Sequence, residues 1–198
     1  MAVTADQVRQ LREQTGAGMM ECKQALVESA GDFDKAVDVL RKAGIARAGA
    51  RGERTAREGL VEAYIHPGSR VGVLIEVNCE TDFVARTPEF AELVRNLAMQ
   101  VAAAGAEYVR REDVPSERVE QERRILTEQM SGEKKPANIL EKIVEGRLNK
   151  FFAEVCLLEQ PYIKDDKITV ASLVQEATSK TGENVVVRRF SRFRLGEE

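Results

Sequence analysis

The chain has 198 residues, 43% hydrophobic and 32% charged, with a formal net charge of −3. That length and apolar content suffice for a core without metal or disulfide staples, and the near balance of charge removes any global basic field for nucleic acid. One histidine, His66, and three dispersed cysteines, Cys22, Cys79 and Cys156, with no C-x-x-C pair, exclude a multi-histidine metal site and any ordinary Ser-His-acid or Cys-His set not built on His66.

The opening MAVTADQVRQ has no signal-peptide core and no apolar run approaches membrane-spanning length, so the expected location is the cytoplasm. Thr4 followed by Gln7 is a capping-box signature, with Val8 and Leu11 starting an apolar face, and predicts a first short helix. After Thr15-Gly16-Ala17-Gly18, helical spacing of Met19, Met20, Cys22, Ala25, Leu26 and Ala30 predicts a second helix with Gly31 as its C-terminal cap. Asp32 caps a third, striped by Phe33, Ala36, Val37 and Leu40 and expected to close at Gly44. Residues 1–44 therefore read as a three-helix module small enough that its task is to present a surface. Residues 45–58, IARAGARGERTARE, carry four arginines among small residues and read as a linker, partly helical at most.

The remainder, 59–198, reads as an α+β core: a small antiparallel sheet packed by helices. LVEAYIHPGSRVGVLIEVN predicts a hairpin turning at His66-Pro67-Gly68-Ser69. A long helix with Phe90, Val94, Leu97 and Val101 as its stripe starts at Thr87-Pro88, leaving Asp82 and Phe83 outside it. Past a connection at 105–115 come a charged helix, SERVEQERRILTEQ, and, beyond Gly132 and Pro136, a helix whose Gly146 suggests close packing on a neighbour. EQPYIKDDK reads as a loop, TVASLVQEATSK as the final helix and NVVVRRFSRFRL as a closing strand.

Several residues carry two readings. Asp82 fits a turn residue bonding its own backbone and Phe83 a core plug, or the pair is exposed and inserts into a partner. Met19 and Met20 fit the core or an adaptable contact patch. His66 at a hairpin tip has no Ser, Cys or second His beside it, so a solvated structural role outranks catalysis. Arg188, Arg189, Arg192 and Arg194 alternate with Val and Phe, as the polar members of an edge strand or as phosphate contacts. No phosphate-binding glycine loop of either common type occurs, so the chain is not expected to hold a nucleotide itself.

In order and spacing, TGAGMMECKQAL, AGDFDKAVDVLRKAG, VNCETDFVA, KIVEGRLNKF and QPY closely resemble the bacterial elongation factor Ts family, over essentially the whole chain. The resemblance implies a guanine-nucleotide exchange factor, not an enzyme of bond chemistry, without cofactor or metal of its own. Its partner is elongation factor Tu, GDP-bound and nucleotide-free. The N-terminal module then corresponds to a ubiquitin-associated-like (UBA-like) docking domain, acting through the turn and helix from Gly16 to Leu26, notably Gly18, Met19, Met20, Cys22 and Leu26. Thr81, Asp82, Phe83 and Val84 correspond to the segment that enters the G domain of Tu beside its magnesium and nucleotide, and the last strand to a segment contacting the third domain of Tu. Gln100 stands where family members commonly have His on the helix facing Tu. The core has room for one hairpin-plus-helix unit where longer members have two related halves and an inserted helical hairpin, so a homodimer is the expected compensation. A different class, a UBA-like scaffold or RNA-binding adaptor using the arginine segment and the arginine strand, is the alternative.

Overall fold

Each N-terminal helix begins at a local cap. In the computed structural model, which describes residues 3–15, 17–51, 54–130 and 136–197, helix α1 (Ala5–Thr15) starts after Thr4. Gln7 N–H donates to Thr4 Oγ1 at 3.3 Å and Thr4 N–H to Gln7 Oε1 at 3.0 Å, the reciprocal bonds of a capping box. Helix α2 (Met19–Glu28) starts at Gly18, whose N–H donates to Glu21 Oε2. The chain leaves α2 through Gly31 at φ +87°, a left-handed conformation open to glycine, with Gly31 N–H bonded to Leu26 O. Helix α3 (Phe33–Arg51) starts with Lys35 N–H donating to Asp32 Oδ1. Val8, Leu11, Cys22, Ala25, Leu26 and Ala36 form the common core of these three helices.

Helix α3 does not close at Gly44 but runs seven residues further to Arg51. Gly44 is a crossing point instead: a Cβ there would lie 2.9 Å from Ser179 Oγ of helix α8 (Val170–Thr181). The arginine-rich segment is thus helical in its first half, and its residues 52–53, like Gly16 and Gly132, lie outside the described residues.

Strands β1 (Glu58–Ile65) and β2 (Val71–Cys79) form the expected hairpin, turning through Gly68 and Ser69 at positive φ. Strand β5 (Val186–Arg194) joins β2, giving the order β1-β2-β5. Leu195 N–H bonds Arg70 O and Arg189 meets Glu76, so β5 runs antiparallel to β2. Strand β2 buries Val73, Ile75, Val77 and Cys79, the period-two pattern of a half-buried strand.

A single turn, α4 (Asp82–Ala85), precedes the long helix α5 (Pro88–Ala104), for which Thr87 Oγ1 accepts from Phe90 N–H. Asp82 and Phe83, expected in a bare turn, therefore lie on α4. Helices α6 (Ser116–Met130) and α7 (Ala137–Val155) enclose a second core of Leu126, Met130, Val144, Leu148, Phe152 and Val155. Gly146 on α7 faces open space, with no atom within 4 Å of where its Cβ would be, which corrects the expectation of close packing there. The stretch expected as a loop after α7 pairs as β3 (Pro161–Tyr162) and β4 (Asp165–Thr169). No described helix is long and apolar enough to cross a membrane.

The chain divides into two compact units, Met1–Leu60 with Asn78–Ala91 and Ser172–Val186, and Val61–Val77 with Glu92–Ala171 and Val187–Glu198. The architecture is α+β, with three N-terminal helices and a small antiparallel sheet.

Candidate functional site

Strand β2 ends at Cys79, and the chain must reverse its hydrogen-bonding pattern before α4. Thr81 makes that switch: its side chain accepts from Val84 N–H at 3.4 Å, as an N-cap. The thiol of Cys79 donates to Thr81 O at 3.2 Å. Thr81 Oγ1 donates to Glu183 Oε1 at 2.6 Å, and the N–H groups of Glu80 and Thr81 both donate to Glu183 Oε2, at 3.1 and 3.0 Å. Thr81 therefore spends its polar groups inside the protein.

Asp82 follows at the first position of α4, where a carboxylate complements the helix dipole, and pairs with Arg86 at 2.9 Å. Phe83 has no comparable internal use. Its ring is 79% exposed, so of the two readings the core plug is excluded. Val84 is half-buried and Ala85 buried, so α4 anchors through its far side and holds the aromatic outward.

A second apolar presentation is the start of α2. Met20 is 74% exposed, with Cys22, Ala25 and Leu26 on the opposite face buried in the three-helix core, and Met19, at the first turn above Cys22, is half exposed. Val27, also exposed, lies seven residues from Met20 and hence on its face of the helix. The methionines belong to the surface, with Gly18 exposed at their N-terminal edge; Cys22 and Leu26 act behind it.

Gln100 differs from its expected placement on a partner-facing surface. Its side chain is 0% exposed. Its Nε2 donates to Gln160 Oε1 at 3.1 Å and Pro161 O at 3.2 Å, and its Oε1 accepts Ile163 N–H at 2.8 Å. Each polar atom is satisfied, the condition under which an amide can be buried, and the result ties α5 to the start of β3. A side chain without exposed surface offers a partner no direct contact.

Three of the four arginines on the last strand are likewise matched within the protein. Arg189 pairs with Glu76 at 2.7 Å, and Arg192 and Arg194 both reach Glu197, at 2.8 and 3.5 Å. His66 lies exposed at the hairpin tip, with Tyr64 Oη 3.1 Å from its Nδ1. All three cysteines are free and buried. Burial, reinforced by the charge of Glu183, pushes the Cys79 thiol up to about 11, and burial with Glu159 does the same for Cys156, so both remain protonated, unreactive thiols near neutrality. Among the described residues no group of three or more His, Cys, Asp or Glu side chains could hold a metal ion.

A family model described as Elongation factor TS matches residues 5–197. The chain belongs to the elongation factor Ts family. It is 60% identical over 195 residues to the elongation factor Ts of Carboxydothermus hydrogenoformans, covering 98% of this chain and 90% of that protein. It is 57% identical to that of Caldanaerobacter subterraneus, with 98% of each covered, and 53% identical to that of Herpetosiphon aurantiacus, with 99% of each covered.

Within this elongation factor Ts chain the residues that sequence reasoning missed are the supports. Glu183 meets Thr81 across 102 positions and Gln160 meets Gln100 across 60, separations that leave no local pattern. The one available signal was the polar stretch TGEN between a helix and an apolar strand, which marks a helix end without revealing what its acid touches.

Proposed function

We propose that this chain is a guanine-nucleotide exchange factor that binds elongation factor Tu, both GDP-bound and nucleotide-free, and promotes GDP release during the elongation cycle of protein synthesis. Family membership supports the partner. The single observation that carries the mechanism is Phe83, a large aromatic left exposed on a turn whose backbone is tied down. Phe83, with Asp82 beside it and Thr81 and Val84 as its base, acts as a wedge in the G domain of Tu near its magnesium and nucleotide. A wedge that fits only the distorted, nucleotide-poor conformation weakens GDP binding by the same factor that GDP weakens the wedge. No covalent bond forms or breaks, so the chain is a binding partner and not an enzyme, requires no cofactor, and works in the cytoplasm, where translation runs.

The module 1–44 docks, with Gly18, Met19 and Met20 at the contact and Cys22 and Leu26 fixing their helix from within. The segment 45–58 links it to the core, 59–198. Gln100 contributes indirectly, by fixing α5. Release of labelled GDP from elongation factor Tu, with and without the purified chain, tests the reading. Catalytic amounts of chain are expected to accelerate release; a rate equal to the spontaneous one overturns it. Steep weakening of the interaction by salt, beyond what apolar contact predicts, would favour the nucleic-acid adaptor instead.

The chain also pairs with itself in this proposal. The hairpin register sets Val61, Ile65, Leu74 and Phe193 on one face of the sheet, all four exposed, Phe193 by 73%. Ile65 lies over Gly72, within 3.0 Å of where its Cβ would be. Scattered apolar residues are ordinary on a surface, whereas four exposed on three adjoining strands support self-association. Sedimentation at micromolar concentration is expected to give twice the mass of one chain, unchanged by reductant because the cysteines are buried; a monomer throughout would remove this part.

A further inference from the structure

The exposed Phe83 is only as effective as the turn beneath it is rigid. The sequence around it supplies little rigidity: α4 is four residues long, too short to persist by its own hydrogen bonds. The rigidity comes from 102 residues away. We propose that Glu183 is a positioning residue for nucleotide exchange: its carboxylate clasps the Glu80–Thr81 backbone and the Thr81 hydroxyl, and so fixes the direction in which Phe83 projects.

Both oxygens of Glu183 are used on this turn, Oε2 by two consecutive backbone N–H groups and Oε1 by the Thr81 hydroxyl. Charge-assisted bonds of this kind are shorter and stronger than neutral ones. Thr81 Oγ1, held by Glu183 on one side, caps Val84 N–H on the other, so the carboxylate reaches the helical turn bearing Phe83 through one hydroxyl. The contact is reciprocal. Glu80 Oε1 accepts Asn184 N–H at 2.7 Å, and Asn184 Nδ2 donates to Arg54 O at 2.8 Å. Arg54 in turn stands 3.6 Å from Glu80 Oε1.

Glu183 is itself fixed from behind. Helix α8 ends at Gly182 with φ +76°, Gly182 N–H bonds Thr178 O, and Glu183 N–H donates to Thr181 Oγ1 at 3.3 Å. Two strand-to-helix and helix-to-strand corners are thus locked into each other by their carboxylates. A role confined to folding would not require the clasp to fall on Glu80 and Thr81, three and two residues before the exposed aromatic. Freed from Glu183, the turn would sample several directions, and the ordering lost beforehand would have to be recovered on binding.

The inference rests on the exchange reading, with Phe83 as the wedge, and its test separates the two. GDP release from elongation factor Tu is titrated with wild type, Phe83→Ala, Glu183→Ala, Glu183→Gln and the double variant, and each melting temperature is recorded. Glu183→Ala is expected to lower the maximal release rate by about 10- to 100-fold, the scale of losses from small misplacement, with the half-saturating concentration nearly unchanged because α2 sets docking. A mere loss of folded chain would instead be cured by adding more of it. Glu183→Gln, whose amide oxygen still accepts both N–H groups, is expected to recover most of the rate, and the double variant to be no slower than Phe83→Ala alone. Glu183→Asp, which keeps the charge and withdraws it by one methylene, is expected to lower the maximal rate in the same sense and serves if the alanine variant does not fold. A slow Phe83→Ala beside an unchanged maximal rate in Glu183→Ala, or additive losses in the double variant, overturns the positioning role. A Phe83→Ala rate equal to wild type overturns the wedge reading on which it rests.

Discussion

Phe83 and Gln100 reverse what hydropathy assigns them. The aromatic ring is exposed and the amide is sealed inside. The two reversals have different causes, and the difference separates function from architecture. Gln100 is buried because three partners satisfy it, so its cost of desolvation is offset within the protein. Nothing in the described structure offsets the exposure of Phe83. An inverted polar residue is explained by its own hydrogen bonds; an inverted aromatic on a rigid base is explained by a partner.

If that distinction holds, the largest stability change belongs to the buried member. Gln100→Ala takes from Ile163 N–H and from Gln160 Oε1 the bonds they make to Gln100 and leaves a cavity beside them, and is expected to cost about 2–4 kcal/mol, lowering the melting temperature by roughly 5–10 °C in calorimetry. The exchange rate per folded molecule should stay unchanged; a selective loss of exchange would put Gln100 back among the partner contacts.

The buried thiols extend the same test to pH. Cys79 and Cys156 hold their protons more tightly folded, at about 11, than at their ordinary value of 9.0. Their contribution to stability is therefore complete below pH 9 and lost as pH rises from about 9 to about 11. Unfolding free energies measured at pH 7 and pH 10.5 should differ less in a Cys79→Ala, Cys156→Ala double variant than in wild type. Equal slopes would mean that the thiols are hydrated in the folded chain.

On the exposed side, Met20→Ala is expected to raise the half-saturating concentration for Tu several-fold, about 1 kcal/mol, with a melting temperature near that of wild type. A drop in melting temperature would place Met20 in the core. Smallest of all is Asp82→Asn, which removes an exposed pair with Arg86 worth about 0.3–0.5 kcal/mol and should slow exchange less than any change at Phe83.

Much of the fold was legible because its signals are local. Thr4 with Gln7, Asp32, Gly31 and Thr87-Pro88 each mark a helix end within four residues, and the hairpin at His66–Ser69 announces itself by its turn. Where the reading failed, a long-range contact had the decisive role. Gly44 looks like a stop, yet α3 continues past it, and the missing side chain there leaves room for Ser179 of α8. Pro161 and Tyr162 look like loop until their pairing with β4 is formed and Gln100 has joined them. The proposed site divided along the same line. The identity of its exposed residues, Phe83 and Met20, stood in the sequence, whereas their exposure and the support from Glu183 are tertiary facts.

The central claim, that Phe83 is exposed for use on Tu and not for the fold, is tested most directly by one paired measurement. Phe83→Ala is assayed for GDP release in stopped flow and for melting temperature on the same preparation. The account predicts release slower by about 30-fold, the effect of losing a contact worth roughly 2 kcal/mol, with melting shifted by no more than about 1 °C. A melting temperature lowered to the extent expected of a core truncation, about 3–5 kcal/mol, with release in proportion to the folded fraction, would contradict it.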